Sequence, residues 1–226
     1  MNIVAGIRSG SVLASWCLVP LVASLGWLIF LFAPRELTMG EPQRIVYLHV
    51  AVAWCGLAGC VVMGATAAIY LVRRTPAWDR WSQASGEIGW LCTTLTLMTG
   101  SLWAHEAWNT WWTWEPRLTA SLILWFVFAG YFLVRTSIDE PQRRARICAV
   151  LAIVALADVP LVLMATRWFR GIHPVSPEMD SRMRLVLLLS VLVFSAFFTM
   201  LAMLRHRLLG LEARIAAAEH RAEVFN

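Results

Sequence analysis

Apolar and polar positions alternate in long blocks along the chain, not residue by residue. Apolar runs lie near 14–33, 46–72, 87–104, 118–134, 147–165 and 185–204. Each approaches the ~20 residues a helix needs to cross ~30 Å of hydrocarbon. The pattern predicts six transmembrane helices in one domain, 1–226, with no soluble module and no repeat. A transmembrane barrel would instead show alternating segments of about ten residues. The first run reads as a span and not as a removable leader, since no small-residue cleavage site comes before Pro34. The tail from Arg205 to Asn226 mixes Arg, Glu and Ala and predicts a short helix at or beyond the membrane surface.

Composition supports this picture. Of 226 residues, 59% are hydrophobic and 15% charged. Soluble domains carry about 25% charged residues, so an ordinary soluble enzyme, a disordered chain and a coiled coil are excluded. All 19 basic residues are Arg, and their placement gives the orientation. Arg8, the 73–86 and 135–146 loops and the tail hold twelve, against seven on the other side. The positive-inside rule then puts both termini in the cytoplasm and loops 34–45, 105–117 and 166–184 outside. The net charge of +5 is explained by these loops and needs no nucleic acid. Cys17, Cys55, Cys60, Cys92 and Cys148 all fall in apolar runs, with no CxxC and no CxxCH. They read as small packing residues, with no disulfide framework, thiol redox centre or self-attached c-type haem.

The outward loops hold the unusual chemistry. Five of the chain's 13 Trp lie within 103–114, in a segment that continues through Glu115, Pro116 and Arg117. Trp108, Trp111, Trp112 and Glu115 have i, i+3, i+4, i+7 spacing and would share one face of a helix. An aromatic belt is the plain explanation for interfacial Trp. A dense patch with an embedded acid and an Arg also suits a platform for a large flat ligand, since indole faces stack on planar systems. His49 and His173 fall on the same side. Two imidazoles from different loops suit the two axial positions of a haem iron. Arg suits carboxylates such as propionates, and Arg44, Arg117, Arg167, Arg170, Arg182 and Arg184 are the outward candidates. His105, beside Glu106, competes as a ligand but reads as a surface residue. His206 and His220 lie on the cytoplasmic side. Asp158 is an acid inside a span, either functional or engaged in capping or pairing near Pro160.

These motifs resemble a known family. Trp108 to Glu115 is similar to the tryptophan-rich WGxxWxWD signature of haem-handling membrane proteins of cytochrome c maturation. The run through Thr119 looks most like the haem exporter protein C (CcmC) family, as do the length and the six spans. The stretch from Arg44 through His49 resembles that family's first-loop histidine motif, and Trp168 through Pro174 its third-loop motif. Asn109 stands where the signature has Gly, Glu115 where it has Asp, and Ala51 where a Pro is usual. Ala104, His105 and Glu106 replace a stretch similar to Gly-Lys-Pro.

The resemblance implies an all-α polytopic protein of the bacterial inner membrane that transiently binds haem b at its periplasmic face. It implies His49 and His173 as axial ligands. Trp108, Trp111, Trp112, Trp114, Glu115 and Arg117 would form the haem platform and acceptor interface. Arg44, Arg167 and Arg170 would be propionate partners. Implied partners are the ABC-transporter subunits CcmA and CcmB, the small membrane protein CcmD and the haem chaperone CcmE, to which haem is presented. The sequence has no phosphate-binding loop, so ATP hydrolysis is expected only in a partner, and no enzyme activity is expected here.

Three other classes compete. A cytochrome b-like electron carrier would place His pairs within the bundle, and here no His occupies a span centre. A small-solute transporter would show repeats or broken helices at the midplane. A structural subunit with an aromatic belt would bind no chromophore.

Overall fold

The structure is a computed structural model and describes residues 20–169, 171 and 179–224. Six helices follow one another: α1 (Pro20–Phe32), α2 (Ile45–Arg73), α3 (Pro76–Trp108), α4 (Pro116–Ser137), α5 (Pro141–Trp168) and α6 (Ser181–Val224). They match the six apolar runs in order. The described residues contain no strand, only an isolated bridge between Glu36 and Gly40. The chain is an all-α polytopic membrane protein.

Four helical stretches are long and apolar enough to cross a membrane: Glu41–Arg73, Pro116–Ser137, Pro141–Ala165 and Ser181–Glu223. α3 has the length, at 33 residues. Its hydropathy is lowered by Asp79, Arg80 and Glu87 near one end and by Thr93, Thr94, Thr96 and Thr99 further along. α1 is an apolar helix, described over Pro20–Phe32 only.

Two expectations are corrected. The tail does not form a separate short helix. α6 runs unbroken for 44 residues, because no Pro falls between Leu204 and Val224 and the Ala, Arg, Glu and Leu there outweigh the single Gly210. The second outward loop is also shorter than 105–117: α3 continues to Trp108, so His105 and Glu106 belong to its last turns.

α2 is the central helix and packs against α3, α5 and α6, while α4 packs against α5. Small residues allow the close α2–α3 crossing. A Cβ on Gly59 would lie 2.9 Å from Gly89 Cα, so the backbones meet only with glycine at 59, while a Cβ on Gly89 would lie 2.9 Å from the Phe128 ring of α4. The main core joins Cys60, Met63 and Tyr70 of α2, Leu124, Phe128 and Tyr131 of α4, and Cys148, Ala152 and Val159 of α5. Cys55, Cys60, Cys92 and Cys148 are all buried, as small apolar residues should be, and Cys17 lies outside the described residues.

At the end holding the 73–75 turn, Arg135 makes a two-pronged ion pair with Asp79 (2.6 and 3.2 Å) and donates to Gln83 (2.9 Å). Arg205 of α6 holds Glu87 of α3 in the same way, at 2.5 and 3.1 Å. His206 stacks on Trp81, ring centroids 4.1 Å apart. At the opposite end, the first loop is a compact turn. The Met39 and Thr38 amides donate to the Glu36 carboxylate and hold it below the usual carboxylate range. Asp158 sits inside α5 and does not cap it. Its Oδ2 is buried and has no hydrogen-bond partner among the described residues.

Candidate functional site

The 3-10 turn Glu41–Arg44 leads into α2 and places His49 in its first turns. The ring is buried, with 8% of the residue exposed, and faces α3. Its Nδ1 lies 3.1 Å from Thr99 Oγ1. Its ring centroid lies 5.9 Å from that of Trp103, which in turn lies 5.2 Å from Trp108. Gly100 makes the room: a Cβ there would come 2.9 Å from His49 Cε1.

α3 ends in a defined way. Asn109 adopts the left-handed conformation, φ 53° and ψ 37°, and its N–H closes back on the His105 and Ala104 carbonyls. Asn is the residue after Gly that best tolerates this geometry, which accounts for Asn at the signature's Gly position. Residues 109–115 are therefore not helical, and Pro116 opens α4 with Glu115 as its N-cap. The expected single helix face of Trp108, Trp111, Trp112 and Glu115 does not exist, because the left-handed residue breaks the period between the first and the others.

The break sorts the tryptophans. Trp108 and Trp112 line a cavity of about 90 Å³ together with His49, Trp103, Glu115 and Arg117. The wall also includes Ala53 and Leu57 of α2, Thr93, Thr96, Leu97, Gly100, Ser101 and Ala104 of α3, Leu118, Ser121 and Leu124 of α4, and Val162 of α5. Trp111 and Trp114 turn away and are 55% and 76% exposed. They flank a shallow apolar groove with Met98, Leu102 and Leu122. Trp111 stacks on His105, centroids 4.0 Å apart, and Ser101 Oγ donates to the Trp111 carbonyl at 2.7 Å. His105 also meets Glu106 Oε1 at 3.2 Å and is not part of the cavity wall.

The third loop reaches the same place at Gly171. A Cβ on that residue would overlap the Glu115 carboxylate. Gly171 is two positions before His173 in the sequence. His173 and Arg170 lie outside the described residues. Arg44 is turned towards α1: it pairs with Glu41 at 2.5 Å and donates to the Ile29 and Ala33 carbonyls. Arg167 is exposed near the end of α5. Arg117 is thus the described outward Arg that lines the cavity.

Thr99 and Gly100 carry no mark in the sequence, and Trp103 stands out only as the first member of the tryptophan-rich segment. A signal existed: Thr93, Thr96, Gly100 and Trp103 repeat at helical spacing and share one face of α3. The buried Trp112 N–H has no partner among the described residues and is a donor suited to a ligand's polar edge. Indoles with one imidazole, one carboxylate and one guanidinium have the chemistry to hold a flat aromatic ligand that carries a metal and an anionic edge.

Fold and site together define a class: a polytopic membrane protein that presents an aromatic, histidine-bearing cavity at one end of its bundle. The family model described as Heme exporter protein C matches residues 6–221, and the chain belongs to that family. It is 33% identical over 177 residues to Heme exporter protein C of Bradyrhizobium diazoefficiens, covering 77% of this chain and 67% of that one. With the Escherichia coli protein of the same name it shares 31% over 201 residues, 85% of this chain and 82% of the other. A putative cytochrome c biosynthesis ccmC-like mitochondrial protein of Marchantia polymorpha is 28% identical over 194 residues. The family is part of cytochrome c maturation, handles haem, and suggests an ABC-type haem export complex.

Proposed function

We propose that this protein holds haem b transiently in the cavity between α2, α3 and α4 and presents it to the periplasmic chaperone CcmE. The observation that carries the reading is the cavity itself, where His49 meets Trp103, Trp108, Trp112, Glu115 and Arg117. His49 takes one axial position. His173 takes the other, on the sequence motif and on the approach of Gly171 to Glu115. The indoles cover the porphyrin faces, and Arg117 pairs with a propionate. Trp111 and Trp114, exposed beside the cavity mouth, serve the acceptor and not the haem faces. Both termini are cytoplasmic and the cavity opens on the periplasmic side of the inner membrane. ATP hydrolysis falls to the ABC transporter formed by CcmA and CcmB, and CcmD completes the complex. This chain binds and transfers without catalysing a reaction.

The test is the visible spectrum and haem content of the detergent-purified protein beside His49→Ala and His173→Ala. The expected result is a six-coordinate haem in the wild type that is lost or changed in both variants. A wild-type protein that takes up no supplied haem would sink the reading, and an unchanged spectrum in His173→Ala would sink the second ligand.

A further inference from the structure

We infer that Thr99 is a positioning residue that sets the tautomer of His49, so that Nε2 carries the lone pair. The inference rests on the proposed haem site only in its consequence; the hydrogen-bond geometry stands alone. Thr99 Oγ1 lies 2.7 Å from Leu95 O and 3.3 Å from Thr96 O, one turn back on α3. It lies 3.1 Å from His49 Nδ1. A hydroxyl has one proton and two lone pairs. The 2.7 Å contact joins two oxygens, which repel unless a proton lies between them, and the distance is the usual one for O–H···O. The Thr99 proton therefore goes to the Leu95 carbonyl. A lone pair is left facing the imidazole, and Nδ1–H is the donor. A neutral imidazole protonated on Nδ1 has its lone pair on Nε2.

The seat is steric as well as polar. Gly100 leaves no Cβ against the ring, and Trp103 flanks it one turn further along α3. An acceptor on the other ring nitrogen orients a metal-binding histidine and raises its basicity, and losing one costs about 10–100-fold in metal affinity.

The experiment uses the full chain in detergent, labelled with 15N-histidine and free of haem, with His49 assigned by its loss in His49→Ala. The expected spectrum shows His49 protonated on Nδ1 in the wild type and in Thr99→Ser, and a population protonated on Nε2 in Thr99→Val. Haem titration should then show about tenfold or greater weakening in Thr99→Val, with a raised reduction potential of the bound haem, and recovery in Thr99→Ser. A wild-type His49 protonated on Nε2 overturns the inference without need of any variant. So does a Thr99→Val protein that matches the wild type in tautomer and in haem titration. If the wild type shows the Nδ1–H form but takes up no haem, the positioning role of Thr99 stands and the haem reading falls.

Discussion

Gly171 and Asn109 each fix a detail of the site that a side chain elsewhere depends on. A methyl group on Gly171 cannot coexist with the Glu115 carboxylate where it stands. Gly171→Ala should therefore displace Glu115 without touching His49. Transfer of haem to purified CcmE should slow several-fold while the axial spectrum stays that of the wild type. Adding Glu115→Ala should cost nothing more, since both changes remove the same carboxylate from the same place. Transfer at the wild-type rate in Gly171→Ala would remove Glu115 from the acceptor interface. Asn109 holds φ 53°, a conformation that costs an ordinary L-residue about 1–2 kcal/mol. Asn109→Gly should leave thermal stability in detergent level or slightly higher, and Asn109→Val should lower it by about that amount. Equal stability in the two would mean that the α3 end can rearrange.

At the scale of elements, α3 is held at both ends by different chemistry. Near one end, Asp79 and Gln83 grip the buried Arg135 of α4, whose guanidinium also lies 5.0 Å over the Tyr131 ring. Removing one partner of a buried pair leaves the other charge uncompensated, at a cost of about 3–5 kcal/mol. Asp79→Asn and Arg135→Leu should each lower unfolding stability by roughly that amount, and the double variant by less than the sum. Strict additivity would mean that the pair is not formed. The same helix shows what could be read in the sequence. The six apolar runs mark the six helices because burial in hydrocarbon is written in composition. The extra turns of α3, α5 and α6 are not, because their ends are amphipathic and the runs stop where the helices do not. The tryptophan patch misled for a local reason. Its spacing suits a helix, yet Asn109 and Pro116 bracket it, and the left-handed turn between them divides it into a cavity wall and an exposed pair. His49, Trp108, Trp112, Glu115 and Arg117 were legible as a site because they are rare residue types for a span. Thr99 and Gly100 were not, because each is ordinary in a membrane helix and matters only through the residue it faces.

For the whole molecule, orientation depends on where Arg is counted. The end with the 73–75 turn and the tail carries twelve, and the end with the cavity seven. Some are neutralised locally: Arg135 by Asp79 and Arg205 by Glu87 on the first side, Arg44 by Glu41 on the second. The rule acts on basic residues during insertion, when these pairs have not formed, and acidic residues contribute little to it. The pairs therefore do not change the expected topology, and the cavity should face the periplasm. Single cysteines at Thr110, in the loop beside Trp111, and at Thr75, in the turn between α2 and α3, separate the two orientations. The described native cysteines are buried and should give little background. In intact spheroplasts, an impermeant maleimide should label Thr110→Cys, and it should label Thr75→Cys only after the membrane is opened. The reverse pattern would turn the cavity towards the cytoplasm. His49 could then receive haem but not pass it to a periplasmic acceptor, and the hand-over direction proposed here would fail even if haem binding held.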